Sequence, residues 1–174
     1  TKPIKALHVD PEGDLWIGTK NDGILRIRDF YSRRTFTREN TDSYTAADSP
    51  LGKNSVYPFA GSRRNVLWIG GDGGVCYYSY RHRRIFELPR SGALRRIHGL
   101  YEDRDGVLWA ASVGYGVWRI ELSGSADAPV AANVEPVELG LKARSRNFFF
   151  SVCEESDSTL WFCNHGIGVV HYDR

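Results

Sequence analysis

The sequence predicts an all-β protein, a β-propeller seen as four blades' worth of four-stranded antiparallel repeats. Three observations predict it. Four of the five tryptophans follow a leucine, at Leu15-Trp16, Leu67-Trp68, Leu108-Trp109 and Leu160-Trp161, and the spacings between these tryptophans are 52, 41 and 52 residues. Their flanks agree: Asp10, Ser62, Asp103 and Glu155 lie six positions before each Trp, and the small residues Gly18, Gly70, Ala111 and Cys163 lie two positions after. Gly23, Gly74, Gly116 and Gly168 follow six or seven positions on, each before an aliphatic residue. Repeats of this length, built from short runs bounded by turn residues, read as propeller blades.

Each unit opens on an inner run: Ile4–Val9, Val56–Ala60, Ile97–Tyr101 and Phe148–Cys153. The Leu-Trp strands follow, then Ile24–Arg28, Val75–Tyr80, Val117–Leu122 and Val169–Tyr172. A fourth strand is expected at Thr35–Arg38, Ile85–Leu88 and Pro136–Leu139. The runs are rich in β-branched and aromatic residues. No long window carries a helical stripe. The Leu-Trp strands are apolar on both faces, as strands sandwiched between sheets are. The small residue two after Trp is expected to make room for the indole of a neighbouring blade. The repeats span about 4–38, 54–90, 95–140 and 146–174 within a single partial propeller domain, 1–174. The insertions 39–53 and 123–135 are expected as loops. The fourth unit has no outer strand, so an open arc of a larger ring is expected.

Composition narrows the function. With 41% hydrophobic and 25% charged residues, the chain is neither disordered nor a disulfide miniprotein. No apolar run reaches the length of a membrane span, so no membrane contact is expected of this segment. The net charge of +2 argues against nucleic acid as a partner, despite the basic pairs Arg33-Arg34, Arg63-Arg64, Arg83-Arg84 and Arg95-Arg96. The chain begins at Thr1 and contains no Met, so a longer or processed parent is expected. Of Cys76, Cys153 and Cys163, the last two could approach across a hairpin; packed free thiols are the plainer reading.

Motifs with chemical meaning dissolve on inspection. The Asp103–Gly106 turn is too short for a calcium loop, and its Asp is expected to accept backbone N–H groups beside a glycine at positive φ. Gly70–Gly74 precedes a strand, not the helix a phosphate loop requires. The five histidines, His8, His82, His98, His165 and His171, are spread over the four repeats without metal-ligand spacing, and no nucleophile elbow is present. No catalytic residue, metal or cofactor is expected.

The run Asp10–Thr19, the turn Asp103–Trp109, the strand Leu67–Gly70 and the ending His171-Tyr172-Asp173 resemble the two-component regulator propeller repeat, I-x-x-D-x-x-G-x-L-W-I-G-T. Lys53–Val56 resembles its Asn-rich entry to the inner strand, and Asn147 sits equivalently. The turn Ser62–Val66 departs from the pattern, having lost both Asp and Gly. The resemblance implies a ring of about seven blades, an extracytoplasmic (periplasmic) sensor region ahead of a membrane helix, and a histidine kinase or diguanylate cyclase as output. It also implies oligosaccharide ligands.

Propeller ligands bind near the axis on one rim. The repeat places Lys20, Asn21, Asp22, Asp72, Tyr115, Asn164 and His165 in equivalent loops there, with Asn54 and Asn147 at the starts of inner strands. The expected function is ligand sensing, with an oligosaccharide or other small ligand and no chemistry in this segment. Two alternatives stand beside it. One is an assembly module, docking as a homodimer or against further blades of the parent protein. The other is part of a propeller carbohydrate-active enzyme, a lyase or hydrolase.

Overall fold

The computed structural model describes residues 3–141, 148–156 and 158–174. Its strands form three four-stranded sheets and one three-stranded sheet, each meandering and antiparallel. Sheet I is β1 (Ile4–Val9), β2 (Leu15–Thr19), β3 (Ile24–Ile27) and β4 (Thr41–Tyr44). Sheet II is β5 (Val56–Gly61), β6 (Val66–Gly71), β7 (Gly74–Ser79) and β8 (Arg84–Glu87). Sheet III is β9 (Ile97–Glu102), β10 (Leu108–Ser112), β11 (Gly116–Ser125) and β12 (Ala128–Pro136). Sheet IV is β13 (Phe149–Ser156), β14 (Thr159–Asn164) and β15 (Gly168–Asp173). One turn of helix, α1 (Phe30–Arg33), follows β3.

The inner strands β1, β5, β9 and β13 lie side by side in that order, so the sheets stand as successive blades of an open propeller arc. The core lies between blades. Trp16, Ile24, Ile69 and Tyr78 fill the space between sheets I and II; Trp68, Val75, Leu100 and Ala110 fill that between II and III; Trp109, Val117, Val152 and Phe162 fill that between III and IV. Every residue of β2, β6 and β10 is buried, as the two-faced apolar pattern requires.

The blade turns explain the repeated Asp. Asp10 Oδ1 accepts the amides of Glu12 and Asp14 while Oδ2 accepts the Trp16 indole N–H at 2.8 Å. Asp103 does the same for Asp105, Val107 and Trp109, the last at 2.7 Å. Gly13 (φ 85°) and Gly106 (φ 79°) close the turns in the left-handed region. Repeat two has only Ser62 at this position. Trp68 instead donates to Glu102 of the next blade at 2.6 Å, and the Ser62 hydroxyl donates to the same carboxylate oxygen.

Three expectations change. The small residue after Trp makes room for the next inner strand, not an indole. A Cβ on Gly70 would stand 2.7 Å from Pro58 Cγ and 2.9 Å from Ile97 Cγ2. Gly70→Ala is expected to lower the unfolding free energy by about 1–3 kcal/mol in urea titration. The outer strand of sheet I is β4 at Thr41–Tyr44, not Thr35–Arg38. The Asn40 side chain holds Thr35–Thr37 as a loop, accepting the Thr37 amide and donating to the Thr35 and Arg28 carbonyls. The stretch 123–135 is the end of β11 and most of β12, a long hairpin, so the strand expected at Pro136–Leu139 ends at Pro136. Its tip crosses to sheet II, where Asn65 and Arg81 bind Asp127 at 2.7 and 3.2 Å. All three cysteines are free, as the plainer reading has it, though only Cys76 is packed in the core. Cys153 faces Trp161 and Cys163 faces Ser151 in the ladder, two residues out of register with each other. Burial pushes the Cys76 thiol up to about 12.

Candidate functional site

The inner strands start at the rim where the tips of the β2–β3, β6–β7, β10–β11 and β14–β15 hairpins emerge. Eleven residues before each repeat Trp stand Lys5, Tyr57, His98 and Phe150, one per blade. Because their strands are neighbours, these side chains form a row across the axial mouth. The Tyr57 and His98 rings stack with centroids 3.8 Å apart, and Phe150 meets His98 edge-on at 5.4 Å. His165 continues the row at 6.3 Å from Phe150. At the other end, the Tyr57 hydroxyl donates to Asp72 Oδ2 at 3.4 Å, and the Ser55 hydroxyl donates to Asn21 Oδ1 at 3.2 Å.

Of the residues expected at the site, Asn21, Asp72 and His165 belong to this row. Lys20 and Tyr115 are exposed on its hairpin tips, and Asp22 is half-buried beside Lys20. One takes a structural place. Asn54 uses its carboxamide oxygen to accept the Ala46 amide, fastening the 45–54 loop. Asn164 is buried at the end of β14. Asn147 lies outside the described residues. Tyr57, His98, Phe150 and Lys5 were not expected. The signal for them was the repeat register itself, carried eleven residues upstream of the Trp.

Burial lowers the His98 pKa, with Asp72 opposing and Arg96 and Lys5 assisting. Burial likewise lowers that of His8, opposed by Asp10. Both groups titrate near 6.5 when unfolded, so the folded state favours their neutral forms. Their contribution to stability is complete above pH 6.5 and is lost as pH falls through the lowered folded values. The urea midpoint is expected to hold from pH 8 to 7 and to fall as pH drops below about 6.5, before the carboxylates titrate. His98→Phe, which keeps a ring in the stack, should flatten part of that fall; an unchanged profile would exclude His98 as its source.

On the opposite rim, Asp10, Glu12 and Asp14 converge, their oxygens within 4.8 Å of one another. The Arg26 guanidinium occupies that neighbourhood, 2.5 Å from Asp14 and 3.5 Å from Glu12. Its Nη1 also donates to the Tyr78 hydroxyl of sheet II at 2.6 Å, and its Cζ lies 4.9 Å from the Tyr78 ring centroid. Burial works against the Arg26 charge, but Tyr78 and Asp14 outweigh it and raise its pKa above the ordinary value. The cluster is an internal ion pair joining two blades.

A family model described as "Two component regulator propeller" matches residues 1–21 and 91–114, which include the Asp10–Trp16 and Asp103–Trp109 turns. Those two segments match the two-component regulator propeller repeat. No curated protein matches it. Among solved structures, one described as the extracellular domain of a hybrid two component system from B. thetaiotaomicron is similar with a TM-score of 0.76 at 20% identity, over 99% of this chain and 24% of that one. A second such domain from the same organism gives 0.66 at 18%, over 99% and 23%. The PQQ-bound aldose sugar dehydrogenase of Streptomyces coelicolor gives 0.58 at 14%, over 99% and 62%. At these identities the likeness establishes the propeller fold. The chain spans about a quarter of the length of the two-component-system domains.

Proposed function

We propose that the chain is a ligand-sensing propeller segment of an extracytoplasmic signal receptor, and that it binds an oligosaccharide at the axial mouth without acting on it chemically. The observation that carries this reading is the row Tyr57, His98 and Phe150, drawn from one register of successive blades and flanked by Asp72, Asn21 and His165. Ring faces stack on the apolar faces of pyranoses, and flanking polar groups satisfy sugar hydroxyls. The likeness to two-component-system domains supports the sensory role, with a kinase or cyclase output in the parent protein.

Further blades are part of the proposal. Leu7 on sheet I is 64% exposed, whereas its equivalents Leu100 and Val152 are covered by the preceding blade. Val169 on sheet IV is 62% exposed, whereas Ile24, Val75 and Val117 are covered by the following one. Both end faces therefore have the character of blade interfaces, which supports an arc within a larger ring.

Titration calorimetry of the full-length protein against an oligosaccharide panel tests the site. Tyr57→Ala and His98→Ala are each expected to weaken binding about tenfold or more, about 1.4 kcal/mol. Wild-type affinity in both variants would remove the axial mouth as the binding site.

A further inference from the structure

We propose that the axial mouth selects a carboxylate-bearing ligand, a uronic-acid oligosaccharide, and that Arg96 is the residue that reads the acid group. This rests on the sugar-binding reading above and adds the charge of the sugar to it.

Arg96 sits two residues before His98, at the entry to β9. Its backbone has φ 49°, the left-handed region that side-chain-bearing residues seldom adopt. The carbonyl of Arg96 accepts the Val113 amide at 3.0 Å, which ties this backbone to the β10–β11 tip. The guanidinium lies over Gly114, with Nη1 3.6 Å from where a Cβ would stand. A residue with a side chain at 114 would contend for that space. The guanidinium thus lies over the β10–β11 tip, and its charge is felt by both Tyr57 and His98. Among the described residues, no carboxylate comes within ion-pair reach of it.

The surroundings favour an anion. On the four hairpin tips and inner-strand entries, the described residues carry the cations Lys5, Lys20, Lys53, Arg95 and Arg96, against the carboxylates Asp22 and Asp72. The chain as a whole has a net charge of only +2, so these tips and entries carry a local excess of positive charge, while Asp48 and Glu87 lie farther out on the same rim. Asp72 receives the Tyr57 hydroxyl and remains an acceptor for sugar hydroxyls. Burial, together with Arg96 and Lys5, disfavours a proton on His98, which leaves the permanent charge on the Arg and Lys side chains. A guanidinium can hold a carboxylate through two parallel N–H donors, an arrangement a lysine cannot copy. A uronic-acid residue laid along the Tyr57–His98–Phe150 row would have its carboxylate on the rim where that fork stands.

The test is calorimetry on the full-length protein with oligogalacturonides, oligoglucuronides and alginate oligosaccharides, each paired with its carboxyl-reduced counterpart, alongside neutral oligosaccharides. One acidic ligand is expected to bind about tenfold or more tighter than its reduced partner, with a preference that shrinks as salt rises. Arg96→Gln is expected to abolish that preference while the reduced partner binds as before; Arg96→Lys should restore part of it. Equal binding of acid and reduced forms, binding of neutral sugars alone, or an intact preference in Arg96→Gln would each overturn the selection proposed here and leave the sensing reading standing. If no oligosaccharide binds, both readings fall.

Discussion

Arg26→Ala is expected to lower the unfolding free energy by about 3–5 kcal/mol. Arg26 is 5% exposed. Its removal strands the Asp14 carboxylate, 4% exposed, and takes the Arg26 donor from the Tyr78 hydroxyl at the junction of sheets I and II. The size of that loss measures an abandoned charge, not the net worth of the pair. The double variant Arg26→Met with Asp14→Leu is therefore expected to recover most of the stability, because both charges leave together. Urea denaturation of the single and double variants decides the matter; a double variant as unstable as Arg26→Ala would refute the desolvation account.

Asp103→Ala is expected to cost about 2–4 kcal/mol. The carboxylate is 1% exposed, and its loss orphans the Trp109 indole N–H and the amides of Asp105 and Val107 at once. The second repeat offers a sharper form of the same test. There the clasp on Trp68 comes from Glu102 of the following blade, because Ser62 stands where Asp10 and Asp103 stand elsewhere. Glu102→Ala should destabilise the junction of sheets II and III, and Ser62→Asp should rescue it by restoring a carboxylate within the blade. Failure of that rescue, with Ser62→Asp harmless in the wild-type background, would mean that Glu102 acts by joining the blades and not by satisfying the indole.

Much of the candidate site was readable from repeat arithmetic. Asn21, Asp72 and His165 lie on hairpin tips at the rim, a position legible because those tips follow the Leu-Trp strands at fixed distances. For Asn54 the sequence does not tell whether the carboxamide faces a ligand or the backbone. In Asn54 it fastens the chain's own loop. Tyr57 and His98 looked like ordinary strand residues. Their stacking belongs to two strands 41 residues apart, and nothing local reports it.

The blade repeat, the buried Leu-Trp strands and the Asp-Gly turns were determined by sequence alone. They are local, and each is set by side-chain alternation or a turn conformation within about ten residues. The outer edge of each blade was decided by tertiary contacts. Thr35–Thr37 yields to Asn40, and β12 exists because it finds a partner in β11 and an anchor for Asp127 on sheet II. The borrowed Glu102 clasp, the Arg26 junction and the axial row have the same origin. Each joins side chains of neighbouring blades, and only the packing of one sheet on the next brings those atoms within bonding distance.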